Sequence, residues 1–178
     1  MTLLFTMIAS IILGLGLPSI PCYIITATMA APALSTFGVN PLAAHLFVFY
    51  FGSIANLTPP IALAAFAGAG IAGSDPQRTG WISCKLALAG FIVPFIFIYK
   101  PGLLILESSV ADIAFAALAT LLAVLALAAA TEGFLFAKMN WIFRLALIAA
   151  GILLIFPEAI LMGSGLGIMI AISVLQFM

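Results

Sequence analysis

Charge is what this chain has least of. Five basic and five acidic side chains make up 6% of its 178 residues, against about 25% in an ordinary soluble domain. So few charges cannot cover a water-facing surface. That excludes a soluble globular protein and leaves lipid as the solvent for most of the exterior. Hydrophobic residues reach 66% and the mean hydropathy is +1.42. The balance of charge is zero, which gives a nucleic acid nothing to bind. The two cysteines, Cys22 and Cys84, lie in apolar runs without the spacing of a metal site or redox pair, and read as small packing hydrophobes. No zinc, phosphate-loop or dinucleotide motif is present. The N-terminus lacks a basic n-region and an A-x-A cleavage pattern, so it does not read as a signal peptide. The first charged residue is Asp75. An apolar start without flanking basic residues is what a segment beginning partway through a longer gene product would show.

What the chain does have is apolar runs interrupted by glycine and proline. Residues 1–13 are almost wholly apolar but reach only about 20 Å as helix, short of a ~30 Å hydrocarbon core. The segment Gly14-Leu15-Gly16-Leu17-Pro18-Ser19 then breaks the helix. Residues 20–35 return as a second arm, so 1–35 reads as a re-entrant helical hairpin. Pro41 suits the first position of a helix over 41–56, which Asn56-Leu57-Thr58-Pro59-Pro60 interrupts before residues 61–72 continue. Neither arm spans alone and both together do, which describes one discontinuous transmembrane helix. Asp75 reads as an N-cap before Pro76. Residues 82–99 form a span with a kink at Pro94. Residues 101–112 read as a loop with Glu107 and Asp112, and 113–130 as an uncharged span. A polar loop over Thr131–Arg144 carries Glu132, Lys138 and Trp141, residues 145–156 begin another span, and 160–178 return as a last helix weakened by Gly163, Gly165 and Gly167. The fold class is therefore an all-α membrane protein: a hairpin, a discontinuous helix, then three to four transmembrane helices.

Two spans separate the polar loops 73–81 and 132–144, so these loops share a face. Arg78, Lys85, Lys138 and Arg144 lie on it and Lys100 alone lies opposite. The positive-inside tendency puts the first face in the cytoplasm and the hairpin on the outer side.

Broken backbone at membrane depth is the chemical clue. Hydrocarbon cannot satisfy free N–H and C=O groups, so such breaks persist only inside protein or against a watery cavity. Paired Gly/Pro interruptions are the pattern of secondary-transporter binding sites, where half-helix N-termini face an anion and freed carbonyls ligate a cation. The candidate residues are Gly14, Gly16, Pro18, Ser19, Asn56, Thr58, Pro59 and Pro60. Ser19, Asn56 and Thr58 add side-chain oxygens. His45 lies inside the span reading, but no second titratable partner is near in sequence, and an interfacial or packing role is the plainer reading. Ser164 between Gly163 and Gly165, with His45 as base, would be the nucleophile of an intramembrane enzyme. No third orienting group supports it, and small-residue helix packing explains the glycines. Ala64-Gly68-Ala72 is likewise a packing stripe.

Over residues 14–105 the chain resembles the tripartite ATP-independent periplasmic (TRAP) transporters, with the fused permeases of the TAXI branch the nearest likeness. The residues that carry this are Gly14-Leu-Gly-Leu-Pro18, Ala31-Pro32-Ala33-Leu34, Pro41 through Gly52, Leu57-Thr-Pro-Pro60 and Ala69 through Trp81. Residues 106–178 resemble the less distinctive tail of such permeases. The resemblance implies the C-terminal part of the large membrane subunit of an elevator-type carrier in the bacterial inner membrane. Residues 1–81 would be half of the transport domain and 82–178 the C-terminal transmembrane helices. It also implies a periplasmic substrate-binding protein as partner and a small organic anion as substrate. Coupling would be to Na⁺, with H⁺ as the other candidate, and Na⁺ would sit at the backbone of Gly14 and Gly16 and the side chain of Thr58. Gly14–Ser19 would be the outer hairpin tip and Asn56–Pro60 the unwound centre. The family's first repeat has no counterpart here, so the remainder of the permease is an expected partner. The alternative is a membrane-embedded structural or assembly subunit without its own transport site.

Overall fold

The computed structural model describes residues 1–105 and 109–177; Glu107 lies outside them. The described residues fold into helices and connecting turns, the all-α membrane architecture expected. Contacts divide the chain into two compact units, Met1–Ala87 and Leu88–Met178.

The first unit holds α1 (Thr2–Gly14), α2 (Ser19–Met29), α3 (Ala31–Ser35), α4 (Pro41–Ile54), α5 (Leu63–Ala72) and α6 (Pro76–Ala87). Helix α4 is its centre. Ala43, Ala44, Phe47, Val48, Phe51 and Gly52 are buried at helical spacing, and α1, α2 and α3 all pack on this helix. Its start is set by Asn40, whose side chain accepts from the Leu42 backbone N–H at 2.9 Å. The second hairpin arm, expected as one run over 20–35, is two helices parted at Ala30. The reason is Pro32, which has no N–H to donate back to the Thr28 carbonyl. Asp75 caps α6 as the sequence suggests, its carboxylate accepting from the Arg78 N–H at 2.8 Å.

The second unit holds α7 (Val93–Tyr99), α8 (Val110–Glu132), α9 (Trp141–Leu153) and α10 (Ala159–Phe177). The expected Pro94 kink is a short 3₁₀ segment over Leu88–Ile92, where the proline lacks a donor and crowds the preceding turn. Helix α8 begins earlier than expected. Ser109 and Asp112 form a capping box, so Asp112 sits in the first helical turn and not in a loop. Its buried Ala116, Ala119, Ala123, Ala126 and Ala130 alternate in spacings of three and four. This small-residue seam lets α9 approach closely, and α10 packs against α9 in turn.

Helix α9 corrects the expected span over 145–156. The Asn140 side chain accepts from Phe143 N–H at 2.9 Å and draws the start back to Trp141. The helix ends at Leu153 after 13 residues, about 20 Å, short of a ~30 Å core. Trp141 and Arg144, expected in the loop, therefore belong to it. The Arg144 guanidinium lies 4.5 Å over the Trp141 ring and donates to the carbonyls of Ala130 at 2.7 Å and Thr131 at 3.0 Å, closing the C-terminus of α8. Helix α10 runs unbroken through Gly163, Gly165 and Gly167. A Cβ at Gly165 would lie 2.9 Å from the Ala150 carbonyl oxygen, so this glycine is what the α9–α10 contact requires. Among the described residues, Pro76–Tyr99, Val110–Glu132 and Ala159–Gln176 are the helices long and apolar enough to cross a membrane.

Candidate transport site

The two breaks read from the sequence meet in the first unit. Helix α1 ends at Gly14, the chain turns through Gly16 at φ +75°, and α2 starts at Ser19. Helix α4 ends at Ile54, a 3₁₀ turn covers Ala55–Leu57, and α5 starts at Leu63 after Ala62 at φ +39°. The hairpin is held to the broken helix by a close backbone contact. A Cβ on Gly14 would fall 2.8 Å from Gly52 Cα. Cys22, fully buried, and Thr26 pack against the same glycine.

Beside this contact lies a cleft of about 530 Å³, lined by Pro18, Ser19, Ser53, Asn56, Leu63 and Ala64 together with Leu57. Its volume suits a small organic ligand. Pro18 and Ser19 come from the hairpin tip and Asn56 from the helix break. Gly14 is turned to its glycine partner, and Gly16 lies against the Ile61 side chain. Thr58 Oγ1 donates to the Ile54 carbonyl at 3.0 Å, which leaves its oxygen lone pairs free to accept or to ligate. Pro59 and Pro60 join through a cis peptide bond, with Pro59 facing Gly80 and Pro60 exposed.

Two features give the cleft its electrostatics. The starts of α2 and α5 both border it, at Ser19 and at Leu63–Ala64, and neither helix carries a side-chain cap. Their first-turn N–H groups carry the positive end of each helix dipole. Ser53 Oγ is buried without a hydrogen-bond partner among the described residues. It does not take the i−4 carbonyl bond usual for a helical serine. Ser10 Oγ on α1, one turn before Gly14, is unpartnered in the same way. A buried hydroxyl left without a partner costs about 1–3 kcal/mol, and hydroxyls and carbonyls are the donors a hard monovalent cation accepts. The sequence reading missed Ser53 and Gly52. Their signal was slight: a Gly-Ser pair inside the apolar run Phe47–Ile54.

The ionisable candidate lies elsewhere. The Tyr23 hydroxyl and His45 Nδ1 are 3.1 Å apart beside an apolar cavity of about 250 Å³. Ser53 is two turns further along α4, about 12 Å away. Ser164, considered as a nucleophile, donates its hydroxyl to Leu161 O at 2.6 Å within its own helix. Among the described residues no three His, Cys, Asp or Glu side chains gather to hold a metal ion.

The model of one protein family, the DctM component of the tripartite ATP-independent periplasmic transporters, matches residues 1–111. The chain belongs to this family. It is a multi-pass membrane protein of a transporter family, a TRAP permease. The matched residues contain the hairpin, the broken helix and the whole cleft, whereas most of α8 and all of α9 and α10 lie beyond them. No curated protein and no solved structure matches the chain.

Proposed function

We propose that this TRAP permease chain forms part of a cation-coupled secondary transporter that imports small organic anions delivered by a periplasmic substrate-binding protein. The observation that carries this is the cleft onto which two uncapped helix N-termini open. An anionic group there would receive backbone N–H donors and two positive dipole ends with no ionised side chain. Ser19 and Asn56 orient it by hydrogen bonds. Na⁺ would draw its ligands from the oxygens of the same two breaks, the carbonyls of Gly14 and Gly16 and the hydroxyls of Thr58 and Ser53. A proton is the less suited coupling ion, because the cleft lining contains no titratable side chain. Family membership supports the partners: a binding protein and the remaining permease segments. The excess of Arg78, Lys85, Lys138 and Arg144 on one face supports a bacterial inner-membrane orientation with loops 73–81 and 132–144 in the cytoplasm.

The test is uptake by the complete transporter in proteoliposomes, with its binding protein outside and a Na⁺ gradient imposed. Collapse of uptake when the gradient is removed, and its loss in Asn56→Leu, supports the reading. Uptake that ignores the gradient and survives Asn56→Leu overturns it in favour of an embedded assembly role.

A further inference from the structure

A second site lies in the other unit, away from the breaks. Lys100 follows the last residue of the Pro76–Tyr99 span and is only 7% exposed. Its Nζ donates to the Leu154 carbonyl at 2.8 Å, the negative end of α9, and approaches Met162 Sδ at 3.3 Å. Both partners are neutral, and among the described residues these two contacts leave the third ammonium donor of the lysine to be satisfied. Burial pulls this ammonium below the ordinary lysine value, which a neighbouring anion would offset. A buried cation in a membrane protein calls for a named partner.

The cavity beside it indicates which. About 250 Å³ is lined by Tyr99, Lys100, Gly102, Asp112, Phe115 and Ala116, with Pro157. Asp112 gives one carboxylate oxygen to the Ser109 N–H and hydroxyl, which leaves the other oxygen as an acceptor. The cavity thus presents one cation and one anion. Phe115 also lines a smaller apolar cleft of about 40 Å³ with Leu118, Leu122 and Leu166, closed by the two residues that hold Lys100, Leu154 and Met162. Polar and apolar cavities therefore adjoin. Their depths are ordered as well. Lys100 and Asp112 stand at the ends of candidate spans, at headgroup level, while Leu122 lies about 15 Å further along α8, halfway into a ~30 Å core.

We propose that this groove binds a phospholipid with a zwitterionic headgroup bearing a primary ammonium, of the phosphatidylethanolamine type. The phosphate meets Lys100, the ammonium meets Asp112, and the first methylenes of one acyl chain lie along Phe115, Leu118 and Leu122. The headgroup that matches carries both charges and N–H donors. A purely anionic lipid would set its phosphate against Lys100 but leave Asp112 repelled, and a quaternary ammonium has no N–H for the carboxylate.

Native mass spectrometry of the delipidated full permease, titrated separately with phosphatidylethanolamine, phosphatidylglycerol and phosphatidylcholine of one acyl composition, tests this. One phosphatidylethanolamine per chain is expected, bound about tenfold tighter than the other two. Lys100→Met should weaken it by about tenfold and Lys100→Arg should restore it. Asp112→Asn should remove the preference over phosphatidylglycerol. Phe115→Ala, at an exposed residue that lines both cavities and leaves both charges in place, guards against a Lys100 variant that fails to fold. Equal binding of the three lipids, or wild-type phosphatidylethanolamine affinity in both folded Lys100→Met and Phe115→Ala, would overturn the proposal.

Discussion

Gly14 and Gly52 pack backbone against backbone, and a methyl group on the first would sit 2.8 Å from the Cα of the second. This contact fixes the hairpin to the broken helix and so sets the width of the cleft between Ser19 and Asn56. Gly14→Ala forces the two helices apart and should cost about 1–3 kcal/mol by overpacking. Gly68→Ala, where nothing lies within 4 Å, should be neutral or stabilising, because alanine is the better helix former. Thermal unfolding of the detergent-solubilised permease checks both, and a similar loss in the two variants would remove the glycine contact from the account.

Ser53 separates the cation argument from the anion argument. Ser53→Ala removes one oxygen donor and leaves both helix N-termini in place. The expected outcome is an apparent Na⁺ affinity weakened by about tenfold, with the Km for the anion at saturating Na⁺ changed little. Thr58→Val should act in the same direction. Asn56→Leu should instead raise the Km for the anion. Initial uptake rates across Na⁺ and substrate concentrations distinguish these patterns, and a Ser53→Ala enzyme-like profile with unaltered Na⁺ dependence would exclude its hydroxyl as a ligand.

Arg144 closes the end of α8 with two carbonyl bonds. Arg144→Met keeps the aliphatic stem but removes those bonds together with the guanidinium's contact on the Trp141 ring. A loss of about 1–2 kcal/mol is expected, with faster amide exchange confined to the last turn of α8. Uniform exchange across α8 would mean that the guanidinium does not hold this terminus.

Sidedness has a direct readout. With Cys84 replaced by serine and Cys22 left buried, single cysteines at Ser74 and at Lys138 should react with a membrane-impermeant thiol reagent from the same side of sealed vesicles. Labelling from opposite sides would break the assigned orientation.

Much of the first unit was legible because its signals are covalent. Prolines and glycines at 14–18 and 58–60 remove donors or admit unusual backbone, so the breaks lie within a residue or two of their expected places whatever the surroundings. The second unit was less legible because its boundaries depend on side-chain bonds of shorter range. The Ser109–Asp112 box and the Asn140 cap each move a helix start by a few residues, and the early end of α9 coincides with Lys100, a residue 54 positions away. Ser53 was hidden for a third reason. A serine in an apolar helix ordinarily bonds its own backbone, and only the assembled structure reveals that this one does not.

A cleft polarised by peptide dipoles has no proton to lose. Its lining, Pro18, Ser19, Ser53, Asn56, Leu57, Leu63 and Ala64, contains nothing that titrates in the physiological range. The pull that these helix ends would exert on the proposed anion is thus set when the hairpin folds, and it carries no titration of its own. If the proposed anion binds there, acid would weaken this half of the site through the anion's own protonation.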